Sequence, residues 1–182
     1  MKRNQETIRD IAFIVSDYLR IKGIDAVLVG GACVSIYSNN KYQSYDLDMV
    51  ADAPLRVIER ILSEIGFTRT AGRLFKKKGC DFVIDFVAPP LAIGQDPVAE
   101  VQILKKRTAV LKLLTPTDCV RDRLAAYYYW NDPQSLEQAV MVAKKQKSAI
   151  RLPVIKKWSA REDNLTKYNV FIKKIKTRKD AV

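Results

Sequence analysis

Asp46 and Asp48 stand two residues apart in Tyr45-Asp46-Leu47-Asp48-Met49-Val50, a segment that alternates as a strand does. Side chains i and i+2 of a strand project to the same side, roughly 7 Å apart along the backbone. Two carboxylates on one face of an otherwise apolar segment repel each other and lose hydration, which is costly unless a cation compensates them. A D-x-D pair alone also suits a solvated strand edge. Asp85 shifts that balance, because Phe82-Val83-Ile84-Asp85-Phe86-Val87 is so apolar that an ionised side chain within it needs a strong partner. If the two strands lie side by side, three carboxylates converge as two-metal phosphoryl transfer requires, with ions about 4 Å apart bridged by acids. Oxygen-only ligands favour Mg²⁺ or Mn²⁺ over zinc. Asp81 competes for the third place, but Gly79-Cys80 ahead of it reads as a turn.

A second constellation lies upstream. Ala26-Val27-Leu28-Val29 is a short apolar, β-branched run that breaks into Gly30-Gly31, after which Ala32 to Tyr37 suits a helix. Glycine lets a backbone approach a phosphate closely, and the amides of a helix N-terminus supply donors to it. The chain has neither G-x-G-x-x-G nor a Walker lysine, so neither a dinucleotide fold nor a P-loop is supported. It also has no histidine, which excludes Ser-His and Cys-His nucleophiles and His-ligated zinc. Cys33, Cys80 and Cys119 show no CxxC spacing and sit among small or apolar residues, as reduced, buried thiols do.

The elements that position these residues are legible from periodicity. An amphipathic helix from about Gln5 to Ile21 opens the chain, and Ser38-Asn39-Asn40-Lys41 forms a polar turn ahead of the D-x-D strand. A second amphipathic helix spans Pro54 to Ile65. Phe67 to Thr70, Leu74 to Lys76 and Phe82 to Val87 follow as strands around glycine turns at Gly72 and Gly79. After an irregular stretch to about Pro97, Val101 to Leu104 and Thr108 to Leu114 read as edge strands of the same sheet. Thr115-Pro116-Thr117-Asp118 and Asp132-Pro133 are helix starts, and the periodicity stays helical to Lys176 with breaks near Pro153 and Asp163-Asn164.

The order strand, Gly-Gly, helix, polar turn, D-x-D strand, later acid on an apolar strand resembles the nucleotidyltransferase superfamily related to DNA polymerase β. Within it, the chain is similar to small prokaryotic members akin to AbiEii-type toxins. The matching pieces are Val29-Gly30-Gly31-Ala32, Ser44-Tyr45-Asp46-Leu47-Asp48, Ile84-Asp85-Phe86 and the helical Leu114-Thr115-Pro116-Thr117-Asp118 through Arg123-Leu124-Ala125-Ala126, together spanning roughly residues 26–143. The resemblance implies an α/β (α+β) fold with a mixed sheet flanked by helices, a nucleotidyltransferase core over residues 1–112 and a basic helical region over 113–182. It implies that Gly30 and Gly31 cradle the triphosphate of an NTP, with Ser35 and Ser44 as hydroxyl donors. It also implies that Asp46 and Asp48 bind both metals and that Asp85 ligates one and helps activate the attacking hydroxyl. Relatives often carry arginine and threonine just ahead of the first metal aspartate, where this chain has Tyr42 and Ser44, so Lys41 is the candidate for the missing charge. Arg123 stands where relatives often have lysine; it retains phosphate binding but not proton transfer.

Composition narrows the partners. Of the net charge of +12, ten units lie from Lys144 onward, where thirteen lysines and arginines face three acids. Such an end suits RNA or a triphosphate, and equally a solvated helical surface. Lys173, Lys174, Lys176, Arg178 and Lys179 are the candidate phosphate contacts, with a tRNA end as the acceptor they would flank. Tyr127, Tyr128, Tyr129 and Trp130 read as helical core packing, with stacking of one ring on a base as the alternative. No run of about 18 apolar residues occurs and the N-terminus has no apolar signal core, so the expectation is a soluble cytoplasmic enzyme with no membrane partner. Its rivals are transfer of NMP to an aminoglycoside-like small molecule, transfer to a protein hydroxyl, and a non-catalytic nucleotide- or nucleic-acid-binding relative. As a toxin, the enzyme would have a cognate antitoxin or regulator.

Overall fold

The computed structural model describes residues 6–177 of the chain. Seven strands form one mixed sheet. They are β1 (Ala26–Val29), β2 (Asp46–Ala51), β3 (Phe67–Ala71), β4 (Leu74–Lys77), β5 (Val83–Val87), β8 (Val101–Lys106) and β9 (Ala109–Leu114), in the order β3-β4-β5-β2-β1-β9-β8. β6 (Ala92–Ile93) and β7 (Asp96–Pro97) pair separately as a small hairpin, so the stretch ahead of Pro97 is not wholly irregular. Within the large sheet β2 runs parallel to β5 and β1 parallel to β9, and the other neighbours are antiparallel.

One strand departs from the sequence expectation. β9 is not an edge: it lies between β1 and β8, and only β8 forms that rim. Its Leu111, Leu113 and Leu114 are buried, which explains why its apolar run is nearly continuous.

Register decides which side chains share a face. Ala26, Leu28, Leu47, Met49, Phe75, Ile84, Phe86, Leu111 and Leu113 form the core-facing surface, and each of the larger ones contributes about 1.5–3 kcal/mol by burial. Helix α1 (Ile8–Ile21), capped by Thr7 with a reciprocal Asp10 contact, packs on β9 and β1, and α3 (Leu55–Ser63) packs on β3. The opposite face carries Asp46, Asp48 and Val50 of β2 beside Val83, Asp85 and Val87 of β5, and the β5 members are only half-buried.

Helix α2 (Gly30–Tyr37) leaves β1 without a connecting loop. The turn after it is built on Asn39 and Asn40, both left-handed at φ 55° and 59°, a conformation asparagine tolerates better than most residues. The C-terminal helices are α4 (Pro116–Trp130), α5 (Pro133–Lys145), α6 (Leu152–Arg161) and α7 (Leu165–Lys176). Thr115 and Asp132 cap α4 and α5, each with proline in the first turn. These helices are joined to the sheet layer through α2: Tyr37 donates its hydroxyl to Leu114 O at 2.6 Å, and Gln146 Nε2 donates to Tyr37 O at 2.8 Å. Among the described residues no helix is long and apolar enough to cross a membrane. Cys33 and Cys119 are buried free thiols, whereas Cys80 is only half-buried.

Candidate active site

Asp48 and Asp85 are direct register partners on the parallel pair β2–β5. Adjacent strands are about 4.8 Å apart, so the two carboxylates leave the same face as neighbours, and Asp46 precedes Asp48 on that face by one pleat. Asp46 is exposed, Asp48 and Asp85 half-buried. The acids therefore run from solvent inward. Asp81 lies ahead of β5, outside the paired strand.

The electrostatics follow from this crowding. Burial pushes the Asp48 carboxyl up to about 6, and the facing Asp85 adds to the rise, while Arg123 on α4 opposes it. Arg123 is nevertheless engaged elsewhere: its Nε and Nη2 donate to Asp122 Oδ2 at 2.9 and 2.6 Å, and Nη1 reaches Gln138 Oε1 at 3.5 Å. Asp85 Oδ1 stands 2.6 Å from Arg73 Nε. That pair is close but poorly directed, so the buried Oδ1 accepts no hydrogen bond from any described residue. An ion pair needs proximity, and a hydrogen bond needs alignment as well.

Gly30 shapes the other wall. Its φ is +66°, and a Cβ built there would stand 2.2 Å from Asp48 Oδ2. Only glycine admits both the left-handed backbone and the carboxylate. Beyond it, α2 starts with no side-chain cap and no acid in its first turn, so its leading amides have no competing anion from their own helix. A Cβ on Gly31 would meet the Ser44 hydroxyl at 3.2 Å. Ser44 closes a tight turn on Asp46, donating to Asp46 O at 3.0 Å and accepting from Asp46 N–H at 3.3 Å.

Ser35 sits behind this layer. It is wholly buried, donates to Gly31 O at 3.3 Å and accepts from Ser44 N–H at 2.9 Å. Its hydroxyl thus fastens the Ser44 turn to α2. Lys41 is exposed and lines a groove of about 890 Å³ shared with Lys144, Lys145, Lys176 and the Lys174–Glu137 pair, over Val140 and Met141. Gly30, Gly31, Ser44, Asp46, Asp48, Asp85 and Arg123 are brought together around the central strands β5, β2 and β1, while Lys41 belongs to the basic groove. Arg178 and Lys179 lie outside the described residues.

Two residues escape a reading by motif. Arg73 follows Gly72 in the β3–β4 turn, and only the pairing of Leu74 with Asp85 reveals that it stands beside the third acid. Trp130 overturns the packing expectation: at 76% exposed it is no core residue, whereas Tyr128 is buried and stacks on Trp158 with centroids 5.4 Å apart. Trp130 closes α4 just before left-handed Asn131, which ends the helix.

The donor set suits a hard divalent cation: all oxygen, two strands deep, with one buried oxygen lacking a hydrogen bond. As the side chains stand, no three acids or cysteines among the described residues form a ready metal cage. Asp46, Asp48 and Asp85 are the residues that would hold such an ion.

No protein-family model matches the sequence, and no curated protein matches it. Solved structures match the fold. The chain is similar to an antigenic nucleotidyltransferase-like protein from Paracoccidioides brasiliensis, with TM-score 0.57 and 14% identity over 74% of each chain. It is also similar to ANT(2")-Ia solved in complex with adenylyl-2"-tobramycin, with TM-score 0.54 and 13% identity, covering 88% of this chain and 98% of that one. A mixed sheet flanked by helices, with helices C-terminal to it, is thus a nucleotidyltransferase fold here as in those proteins.

Proposed function

We propose that this chain transfers NMP from a nucleoside triphosphate to an acceptor hydroxyl, using Asp46, Asp48 and Asp85 as metal ligands. The observation that carries the reading is the register pairing of Asp48 with Asp85 on a half-open face, directly against a glycine whose missing side chain makes room for the carboxylate. A pair of Mg²⁺ or Mn²⁺ ions bound there would neutralise the acids and stabilise the attacking and leaving oxygens.

The chain's own groups then divide the work. The first amides of α2 and the Ser44 hydroxyl bind the triphosphate, and Ser35 keeps Ser44 in place. Arg123 adds positive charge from α4. Asp85 draws the proton from the acceptor hydroxyl as its oxygen bonds to the α-phosphorus. The bond from that phosphorus to the bridging oxygen breaks, and pyrophosphate leaves with the electron pair.

The acceptor we favour is RNA, a tRNA end in particular, in the cytoplasm. The support is the lysine-lined groove, which begins at Lys41, three residues before Ser44, and runs to α7. Its apolar floor and cationic rim suit a polynucleotide backbone. A growth-arresting toxin restrained by an antitoxin would be such an enzyme.

A second reading has its own observation. A cavity of about 480 Å³ lined by Asp25, Val27, Val50, Asp52, Pro89, Pro90 and Leu91 opens on the same sheet face as the acids. Its two carboxylates suit a cationic small molecule, although Lys112 pairs with Asp25 at 2.7 Å. ANT(2")-Ia, with its adenylylated tobramycin, gives that alternative a precedent in the same fold.

One assay separates these acceptors. Each α-labelled NTP is supplied with Mg²⁺ or Mn²⁺ and with total RNA, lysate protein, aminoglycosides or no acceptor. Label on RNA alone, lost with Asp48→Asn, supports the favoured reading; label on protein or aminoglycoside replaces it. For RNA, Lys144→Ala or Lys176→Ala lowers the slope of log binding constant against log salt by about one each.

A further inference from the structure

Among the described residues, Arg73 is the cation paired with Asp85, and it is held by neither a good hydrogen bond nor burial. Its side chain is 50% exposed, whereas that of Asp85 is 18% exposed. Its backbone is fixed: Phe86 N–H donates to Arg73 O at 3.2 Å, and Gly72 before it takes the left-handed turn at φ +50°. A guanidinium on a fixed stem but a loose tip has a short, defined sweep. From the β4 side, the column of Asp48 is two strand spacings away, roughly 10 Å, and anything bound between Asp48 and Asp85 is nearer still.

We infer that Arg73 is a displaceable counter-ion: in the free protein its guanidinium holds Oδ1 of Asp85, and it passes to the phosphates of the nucleotide when metal and nucleotide arrive together. The inference rests on the metal-dependent reading above and deepens it. A free acid pair would repel across β2 and β5, and Arg123, engaged with Asp122, relieves only the Asp48 side. Arg73 relieves the other. A divalent ion competes with it for the same oxygen, so metal alone binds weakly. A triphosphate supplies a new anion within the sweep of the arginine, so metal and nucleotide favour each other's binding. Such coupling keeps the site from loading metal without substrate. Arg73 acts here as a positioning residue, through Asp85 and the phosphates.

The test is Mn²⁺ binding to the full chain by equilibrium dialysis, with and without inorganic tripolyphosphate at equal concentration on both sides of the membrane. Without tripolyphosphate, Arg73→Ala binds Mn²⁺ about fivefold more tightly than the wild type, and Arg73→Lys falls between, because a half-exposed ion pair no longer competes. With tripolyphosphate the order reverses, and Arg73→Ala binds about fivefold more weakly. An unchanged melting midpoint shows that Arg73→Ala is folded. Equal Mn²⁺ binding by wild type and Arg73→Ala, with Asp48→Asn abolishing it in both, overturns the role of Arg73 and leaves the metal reading standing. No Mn²⁺ uptake by either protein under either condition overturns both.

Discussion

Two regions of this molecule bury charge, and they treat it in opposite ways. Behind the β6–β7 hairpin, Arg121 is 7% exposed; it donates to Asp118 Oδ1 and Asp96 Oδ2, both at 2.8 Å, and lies over the Trp158 ring at 5.2 Å. Arg161 also pairs with Asp96, and Tyr129 with Glu162. Both arginines there are paired with acids of the protein itself, and the pairs fasten a hairpin to α4 and α6. At the β2–β5 face, three acids share a surface on which Arg73 is half in solvent and Arg123 is turned to Asp122. Charge balanced internally holds a fold together; charge left in excess on an accessible face awaits something from outside.

The sharpest way to break this contrast is to remove a charged side chain from each region. Asp48→Asn cuts nucleotidyl transfer by about a thousandfold or more, measured with α-labelled NTP, on the scale of losing a key electrostatic element of a transition state. Arg121→Met instead leaves transfer chemistry intact while lowering stability by about 3 kcal/mol in urea titration, since Asp118 and Asp96 lose their buried partner. Gly30→Ala combines both faults. Its Cβ would overlap Asp48 Oδ2 in a left-handed backbone, so it costs about 2–3 kcal/mol, against about 1 kcal/mol for Gly72→Ala, where nothing lies within 4 Å.

The smallest effect sharpens the comparison most. The carboxyl of Asp48 is raised to about 6 in the folded chain, above its ordinary value near 3.8. A raised acid favours the folded state while protonated, so its contribution is full below about pH 4 and is lost as pH climbs through about 6. Above that window the ionised side chain strains the metal-free protein. Asp48→Asn therefore raises metal-free stability at pH 8 by about 2 kcal/mol, discounted for its partial exposure, and by almost nothing at pH 4. A melting-temperature series across pH reads both limits. An inactive variant more stable than the wild type marks a site kept at the expense of stability.

The period-2 alternation around Asp46 and Asp48 and the apolar run around Asp85 are local signals, and so were readable from sequence. The strand-to-glycine-to-helix transition at Val29-Gly30 was equally local, because a backbone with φ +66° selects glycine strongly. What depends on distant pairing was not legible. The placement of β9 between β1 and β8 joins residues some 85 positions apart, as at Val27 and Lys112, and no periodicity encodes it. Arg73 becomes a neighbour of Asp85 only through the β4–β5 register, and Arg121 finds Asp96 across 25 residues. Trp130 failed for a different reason: an aromatic run on a helix looks like core until the helix's end point, set by left-handed Asn131, puts its last residue outside.

The central claim is that Asp46, Asp48 and Asp85 hold a divalent ion against a triphosphate. It is tested most directly by growing crystals with Mn²⁺ and a non-hydrolysable nucleoside triphosphate and mapping the anomalous signal of manganese. The account predicts one or two peaks at roughly 2 Å from oxygens of Asp48 and Asp85, with the triphosphate against the first turn of α2. Nucleotide bound elsewhere, or manganese absent from these acids while nucleotide is bound, would contradict it.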